Sequence, residues 1–344
     1  MAKRTCSAVA AALAMACASG RGAAGGEATP TMQPAAGWSS PLYRDHPLVG
    51  RIWDVRGRRW ADEATLVASV SRADFVLLGE THDNADHHVF QARLIRAVAD
   101  AGRRPAVAFE MLDAQQQPTV DAALAASPRD PDALARAVGW ARSGWPDFAL
   151  YRPVFAAALD AGLPVLAVNL PRREAHEVVA RGVTALAPPV RRILERAGPL
   201  SETAAQALRE EMSESHCGAL PESMLDGMVL MQRARDAEMA ERLLSGAGSG
   251  GGVLVAGAGH VRTDRAVPAH LAREAPGRSI VAVCVLEVSS RRSDPESYRD
   301  AFGADALPCD FAVFTPQAER SDPCEGLRER RHSEKAPEPP AQSL

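Results

Sequence analysis

Two stretches, DFVLLGETH at residues 74–82 and GVLVAGAGH at residues 252–260, decide the fold of this chain. Each contains four consecutive apolar residues and ends in the same four-residue pattern, Gly-x-x-His. A strand that is apolar without alternation is buried on both faces, which is typical of parallel sheets covered by helices on each side. We therefore predict two parallel strands, each followed by a loop that carries a histidine.

Further apolar runs predict the rest of the domain. A helix is predicted over 85–101, where Phe90, Leu94 and Val98 recur every four residues, and another over 154–161. The other predicted strands are 105–109, 163–170, 279–288 and 311–315, the last closing an edge, and a hairpin over 52–60 leads into them. Alternating strands and helices indicate an α/β fold with a mainly parallel sheet. The stretch 188–244 lacks a strand-like run and is predicted to be a helical insertion or cap.

Polar side chains stand at the ends of four predicted strands. Because open α/β sheets bind ligands at the carboxyl ends of their strands, we expect these side chains to converge along one rim. They are Glu80, His82, Glu110, Asn169 and His260. Two carboxylates and two imidazoles suit a divalent metal or acid–base chemistry. In the alternative interpretation the glutamates cap neighbouring helices and the histidines bond loop backbone.

The composition is that of one globular domain. Hydrophobic residues make up 46% and charged residues 24% of the 344 residues, which is ordinary for a soluble protein. The formal net charge of −4 does not favour nucleic acid as a partner. We place a flexible Gly-, Ala- and Pro-rich tether at 18–40, a single α/β domain at 41–318, and a disordered, charged and Pro-rich tail at 319–344.

The N-terminus predicts export. Lys3 and Arg4 precede a short apolar run over 6–16 that ends in the small-residue site AMA, so residues 1–17 are typical of a secretory signal peptide. The run is too short to span a bilayer, and no later stretch has the roughly 18 apolar residues of a transmembrane helix. We therefore expect the protein in the cell envelope or periplasm.

Cys17 follows LAMA (13–16), which resembles the bacterial lipobox except that Ala14 stands where leucine is usual. Acylation of Cys17 would anchor the protein to the outer membrane, and this anchor would be its only membrane contact. The alternative is ordinary cleavage after Ala16 or Ala18.

Four cysteines follow Cys17, and an exported protein can form disulfides. We favour a Cys309–Cys324 pair, because the two flank a short loop-like stretch, although connectivity cannot be deduced from sequence. Cys284 lies in an apolar run and is expected to be a buried free thiol. None of the cysteines has the C-x2-C spacing of a metal site.

Eight segments, in order from about residue 45 to 316, resemble the ChaN family of haem-binding, iron-regulated lipoproteins. They are LLGETHDNADHHVFQARLIRAV (77–98), FEMLDAQQQP (109–118), GWPDFALYRPVFAAAL (144–159), LPVLAVNLPRR (163–173), the HC pair (216–217), MVLMQRARDAEMA (228–240), VLVAGAGHVRTDRAVPAHL (253–271) and DFAVFTP (310–316). The resemblance extends to the wider Tiki, TraB and erythromycin-esterase superfamily, in which Gly-x-x-His histidines and acidic residues build the active centre. It implies that Glu80, His82, Glu110 and His260 occupy those positions, with Arg235 and Asp236 as helpers.

The resemblance predicts a haem-binding envelope protein of haem or iron uptake, with haem held at the carboxyl ends of the strands. A haem site needs a flat apolar slot, an axial ligand such as Tyr or His, and cations for the propionates. The residues expected to contact haem are His82, His260, Tyr151, Glu80, Glu110, Asn169, Arg172, Arg235 and Asp236. A haem face left open to solvent would favour a homodimer around the cofactor, and an outer-membrane haem or iron receptor is the expected further partner.

Three of these assignments leave alternatives. Tyr151, in the GWPDFALY segment, is the tyrosine candidate for the iron, but it could equally pack a helix start. Arg172 and Arg173 could pair with propionates or be solvated. His87 and His88 could reach a ligand, although we expect them on a solvated helix face.

The competing hypothesis is a metal-dependent hydrolase, a protease or esterase of the Tiki type. A divalent metal held by His82, His260 and Glu110 would lower the pKa of a bound water to about 7, and Glu80 or Glu110 would act as base. The sequence contains neither a G-x-S-x-G nucleophile elbow nor a phosphate-binding P-loop. An envelope adaptor without a small ligand is the third hypothesis.

Overall fold

The computed structural model describes residues 37–322 and 324–325. The predicted signal peptide, Cys17, most of the tether and most of the tail lie outside these residues. Eight strands form one sheet: β1 Ile52–Asp54, β2 Arg59–Ala61, β3 Phe75–Glu80, β4 Ala106–Asp113, β5 Val165–Asn169, β6 Gly252–Gly257, β7 Ile280–Glu287 and β8 Phe311–Thr315. Within the described residues the α-helices are α1 Glu63–Arg72, α2 Ala85–Asp100, α3 Gln117–Ala126, α4 Pro131–Ala137, α5 Phe148–Asp160, α6 Arg172–Arg181, α7 Pro188–Ala197, α8 Glu202–Ser215, α9 Glu222–Gly246 and α10 Val267–Glu274.

The strands are ordered β2-β1-β8-β7-β3-β6-β4-β5. The six strands from β8 to β5 pair in parallel, and β1 pairs antiparallel with both β2 and β8. The predicted mainly parallel α/β fold is therefore confirmed. One detail is wrong: the strand predicted to close an edge, β8, lies between β1 and β7, because the β1–β2 hairpin adds to its free side.

Helices cover the sheet on both faces, as the continuous apolar strands predicted. In β3, Val76 and Leu78 pack in the core that contains α1, α2 and α5. Their neighbours Phe75 and Leu77 pack in the opposite core, with α9 and α10. Because successive strand residues face opposite sides, a strand between two helical layers must be apolar at every position, and all four residues are at most 1% exposed.

The helical insertion extends further than predicted. Every α-helix from α6 to α9 lies between β5 and β6, so the helical part runs over 172–246 rather than 188–244. A third apolar cluster includes Val178 of α6, Ile193 of α7 and Met231 of α9, and α8 packs on α9 through a fourth that includes Leu208 and Leu225.

Within the described residues no helix is long and apolar enough to cross a membrane.

The disulfide joins Cys217 and Cys324, with 5.5 Å between their Cα atoms. The predicted Cys309–Cys324 pair is therefore wrong. Cys309 is a free thiol in the core, buried beside Cys284, and burial together with that neighbour raises the pKa of the Cys309 thiol. The buried free thiol predicted for Cys284 is confirmed. Cys217 lies in the turn between α8 and α9. It is partly exposed, as Cys324 is, whereas Cys309 is buried in the core.

Contacts of the domain continue past the boundaries predicted for it. The backbone N–H groups of Ser39 and Ser40 each donate to the Asp86 carboxylate at 2.8 Å. At the other end, the Arg320 guanidinium donates to Asp83 at 2.7 Å and to Glu287 at 2.6 Å. The packed chain therefore includes residues that the sequence assigned to the tether and to the tail.

Candidate functional site

The two Gly-x-x-His loops pack against each other at the carboxyl ends of adjacent parallel strands. β3 and β6 pair so that Glu80 stands opposite Gly257. A Cβ atom on Gly79 would lie 2.4 Å from Val261 in the second loop, and one on Gly257 would lie 3.0 Å from Nε2 of His82 in the first. Each glycine thus makes room for the other loop, which is the physical reason for a glycine in both copies.

Glu80 is the centre of the first half of the site. Its side chain is buried, and its Oε1 accepts from the Tyr151 hydroxyl at 2.8 Å and from Nδ1 of His82 at 2.9 Å. Its Oε2 lies 3.2 Å from Nδ1 of His88. Two imidazoles and a phenol therefore converge on one carboxylate.

Glu110 is the centre of the second half. Its Oε2 accepts from the backbone N–H of Gly257 at 2.7 Å, and its Oε1 lies 3.3 Å from Nε2 of His260. The other ring nitrogen of His260 bonds Asp236 at 2.7 Å. Nε2 of His82 lies 4.0 Å from Glu110, so the two halves touch.

Opposite charges stabilise one another in this strand-end cluster, which comprises Glu80, His82, Glu110 and His260. Burial acts to raise the pKa of Glu110, but the charges of His260 and His82 outweigh it and hold that pKa at about 2. Burial acts to lower the pKa of His260, but Glu110 and Asp236 raise it to about 10. By the same balance against burial, the pKa of Glu80 is well below its ordinary value. We therefore expect carboxylates and a His260 imidazolium at neutral pH.

Both ring nitrogens of His260 face carboxylates of the cluster: Nδ1 bonds Asp236 at 2.7 Å, and Nε2 lies 3.3 Å from Glu110. Among the described residues no group of three or more His, Cys, Asp or Glu side chains is arranged to hold a metal ion.

The structure brings most of the predicted site residues together. The Asn169 amide nitrogen donates to the Glu110 carbonyl oxygen at 2.9 Å. Tyr151 bonds Glu80 in the first half of the site, and Asp236 bonds His260 in the second. The alternative in which the glutamates cap helices is wrong, because both lie in strands and the α2 cap is Asn84. Arg172 and Arg235 line one cavity together with Asn169. Arg172 is exposed there, and the Arg173 side chain is 84% exposed.

Tyr151 is fully buried, and its hydroxyl is committed to Glu80. Burial and the Glu80 charge raise the pKa of the phenol well above its ordinary value. His82 is the predicted ligand with the most open position, since its side chain is 35% exposed and packs edge-on against Trp145.

The expectation of a solvated helix face for His87 and His88 is wrong, since both are fully buried. His88 pairs with Glu80, and His87 bonds the backbone N–H of Thr81 and the Thr315 hydroxyl, each at 2.9 Å. A signal was available in the sequence: the spacing His87, Gln91, Leu94 and Val98 continues the apolar stripe of α2 by one turn.

Two cavities adjoin the cluster. The methionine-lined cavity, of about 610 Å³, lies between α6, α8 and α9 and is lined by Arg172, Ala175, His176, Val179, Met212, Ser215, His216, Met224, Met228, Met231, Gln232 and Arg235. The arginine-lined cavity, of about 520 Å³, lies at the ends of β4 and β5 and is lined by Met111, Asp113, Gln116, Val138, Gly139, Arg142, Ser143, Gly144, Trp145, Asn169, Leu170, Arg172 and Arg235. Sequence reasoning missed the four methionines of this cavity, because they lie on two helices, α8 and α9, that meet only in the folded protein.

Fold and site together define an α/β protein with a buried ion-paired cluster and two adjoining cavities near the carboxyl edge of a mainly parallel sheet, where such sheets bind ligands. The chain belongs to the ChaN family of haem-binding uptake proteins in the Tiki superfamily, whose family model matches residues 66–271.

A solved ChaN structure has the same fold. The structure described as cofacial haem binding to ChaN of Campylobacter jejuni is 22% identical, with a TM-score of 0.56 over 76% of this chain and 95% of that one. A mutant erythromycin esterase in its open conformation is more distant, at 15% identity and a TM-score of 0.39 over 78% of this chain and 82% of that one. No curated protein matches the chain in sequence.

Proposed function

We propose that this protein binds haem in the methionine-lined cavity and serves haem or iron uptake in the cell envelope. The observation that carries this proposal is one cavity that combines apolar walls, imidazoles and guanidiniums in a member of a haem-binding family. Methionine side chains are flexible and polarizable, so they adapt to a flat apolar ligand. A volume of about 610 Å³ is in the range of cofactor pockets.

The residues present fit haem. Nδ1 of His216 lies 2.8 Å from the Met212 carbonyl oxygen, which can only accept, so Nδ1 carries the proton. Nε2 of His216 then keeps its lone pair, and a backbone carbonyl on the other nitrogen is the usual support for a ligating histidine. His176 on α6 is a second imidazole at the same cavity.

The propionates have partners at the same place. Arg172 and Arg235 line both cavities, and guanidinium matches carboxylate in geometry and charge. Bound haem would supply an iron centre, and the protein would supply its enclosure and ligand. We place haem here rather than on the strand-end cluster because His260 and Tyr151 are already bonded within that cluster. Glu80, Glu110, Asn169 and Asp236 do not line this cavity, so in this proposal they do not contact haem.

A haemin titration of the chain from residue 18 tests this proposal. We expect a saturable Soret band in the wild type. His216→Ala is expected to weaken binding at least about tenfold and to shift the band, since it removes the proposed ligand.

His82→Ala and Tyr151→Phe are the matched controls and should leave the position of the band unchanged. A shift in either of them, with His216→Ala unaltered, would move the iron to the strand-end cluster. Absence of a saturable band in the wild type at micromolar haemin would refute haem binding. Thermal melts of all variants separate loss of a ligand from loss of the fold.

The metal-dependent hydrolase remains a hypothesis that no observation in the described residues favours. It needs histidine lone pairs and carboxylates that face a common point, whereas the described side chains face one another as ion pairs.

We also propose export and acylation of Cys17, which would place the protein where an outer-membrane haem or iron receptor could use it. Acyl chains bind membranes with about 0.8 kcal/mol per buried CH₂. Cys17→Ser is therefore expected to move the protein from the membrane fraction to the soluble periplasmic fraction, as measured by fractionation and immunoblotting. Equal membrane association of the variant and the wild type would exclude acylation at this cysteine.

A further inference from the structure

The arginine-lined cavity contains more positive charge than the protein itself neutralises. Arg142, Arg172 and Arg235 line it, and Asp113 is the only acidic residue among its lining residues. Arg235 and Arg172 both interact electrostatically with the Asp113 carboxylate, so one negative charge serves two of the three guanidiniums. Arg142 and Arg172 are exposed, whereas Nε of Arg235 is buried without a hydrogen-bond partner, which natural proteins rarely allow. The cavity is therefore suited to an anionic ligand.

A second observation points to the same ligand. Asn169 is 5% exposed, and its amide nitrogen donates to the Glu110 carbonyl oxygen at 2.9 Å. Because that oxygen can only accept, the bond fixes the orientation of the amide. The other amide atom, Oδ1, is then an acceptor, and it is buried without a hydrogen-bond partner. A ligand that reached Asn169 would satisfy it by donating a hydrogen bond.

We propose that the arginine-lined cavity is a separate binding site for a small hydroxycarboxylate. Its carboxylates would pair with Arg142, Arg172 and Arg235, since guanidinium and carboxylate form charge-assisted, two-pronged hydrogen bonds. Its hydroxyl would donate to Oδ1 of Asn169. The cavity, of about 520 Å³, leaves room for a ligand of this size.

Propionates of a haem in the methionine-lined cavity are the other source of carboxylate, because Arg172 and Arg235 line both cavities. A propionate carries no hydroxyl, so it would leave Oδ1 of Asn169 unsatisfied. The site proposed here does not depend on haem binding. A free hydroxycarboxylate is distinguished from a haem propionate by titrating haem-free protein and by changing a residue that lines only one of the two cavities.

Calorimetric titration of haem-free protein with citrate tests the proposal, and tricarballylate, which is citrate without its hydroxyl, is the matched ligand. We expect citrate to bind with one-to-one stoichiometry and tricarballylate to bind roughly tenfold or more weakly, because the latter leaves the buried acceptor unpaired. No binding of citrate would overturn the proposal, and so would equal binding of the two ligands. Equal binding of sulfate would also overturn it, since sulfate is an anion that has no proton to donate at neutral pH.

Two variants separate this site from the haem site. Arg142 lines only the arginine-lined cavity, so Arg142→Gln is expected to weaken citrate binding roughly tenfold and to leave the haemin titration unchanged. His216→Ala should do the reverse. If Arg142→Gln weakens haemin binding and citrate does not bind, the arginines serve haem propionates and the separate site is refuted. Arg142 is exposed, so this variant is expected to fold.

Discussion

Glu80→Gln is expected to lower the free energy of unfolding by about 3–5 kcal/mol, the usual loss when one partner of a buried ion pair is removed. Glu80 is 3% exposed and accepts from Tyr151 and His82, while His88 lies 3.2 Å from its second oxygen. Glutamine keeps the shape but not the charge, so the buried His88 loses the carboxylate that holds its pKa above the ordinary value despite burial. The pKa of His82, which is raised by Glu110 and by Glu80, loses the second of these contributions. Urea unfolding followed by tryptophan fluorescence measures the loss.

Glu296→Gln is the matched control, because it makes the same chemical change in an ion pair at the surface. Glu296 pairs with Arg58, whose side chain is 73% exposed, and exposed pairs contribute less than about 1 kcal/mol. A loss in Glu80→Gln no larger than that of this control would show that the strand-end cluster does not stabilise the fold.

Removing the Cys217–Cys324 disulfide is expected to cost about 4 kcal/mol. The two cysteines are 107 positions apart, and a cross-link that closes a loop of this length removes much entropy from the unfolded chain. The double variant Cys217→Ser/Cys324→Ser should therefore unfold at a markedly lower urea concentration than the wild type.

Reducing agent supplies the control for this prediction. It should destabilise the wild type by a similar amount and leave the double variant unchanged, because Cys284 and Cys309 are free thiols in both. If the wild type resists urea equally well once its disulfide is shown to be reduced, the cross-link does not stabilise the domain.

Much of the fold could be predicted from sequence because its signals are local. The continuous apolar runs at 74–79 and 252–256 predicted strands covered on both faces, and the structure has them in β3 and β6. Since parallel strands end at one edge, the polar residues that follow them had to lie near one another. The strand positions and the parallel pairing were therefore enough to predict that four side chains converge: Glu80, His82, Glu110 and His260.

Other features depend on residues that meet only across the folded chain. The position of β8 inside the sheet depends on the β1–β2 hairpin, in which Trp53 pairs with Ala312 of β8 from about 260 positions earlier in the chain. The choice of Cys217 over Cys309 depends on which cysteine the core buries. His87 is buried against Thr315 of β8 and His88 against Tyr151 of α5. The apolar periodicity of α2 does not predict which side chains these two histidines contact.

Sequence by itself determined the fold class, the strand ends that carry the site and the family, because apolar periodicity and short motifs are written in consecutive residues. Tertiary structure alone decided the strand order, the disulfide, the methionine-lined cavity and the free acceptor of Asn169. The physical reason is that these features arise from packing and hydrogen bonding between segments far apart in the chain, and such contacts leave no local pattern.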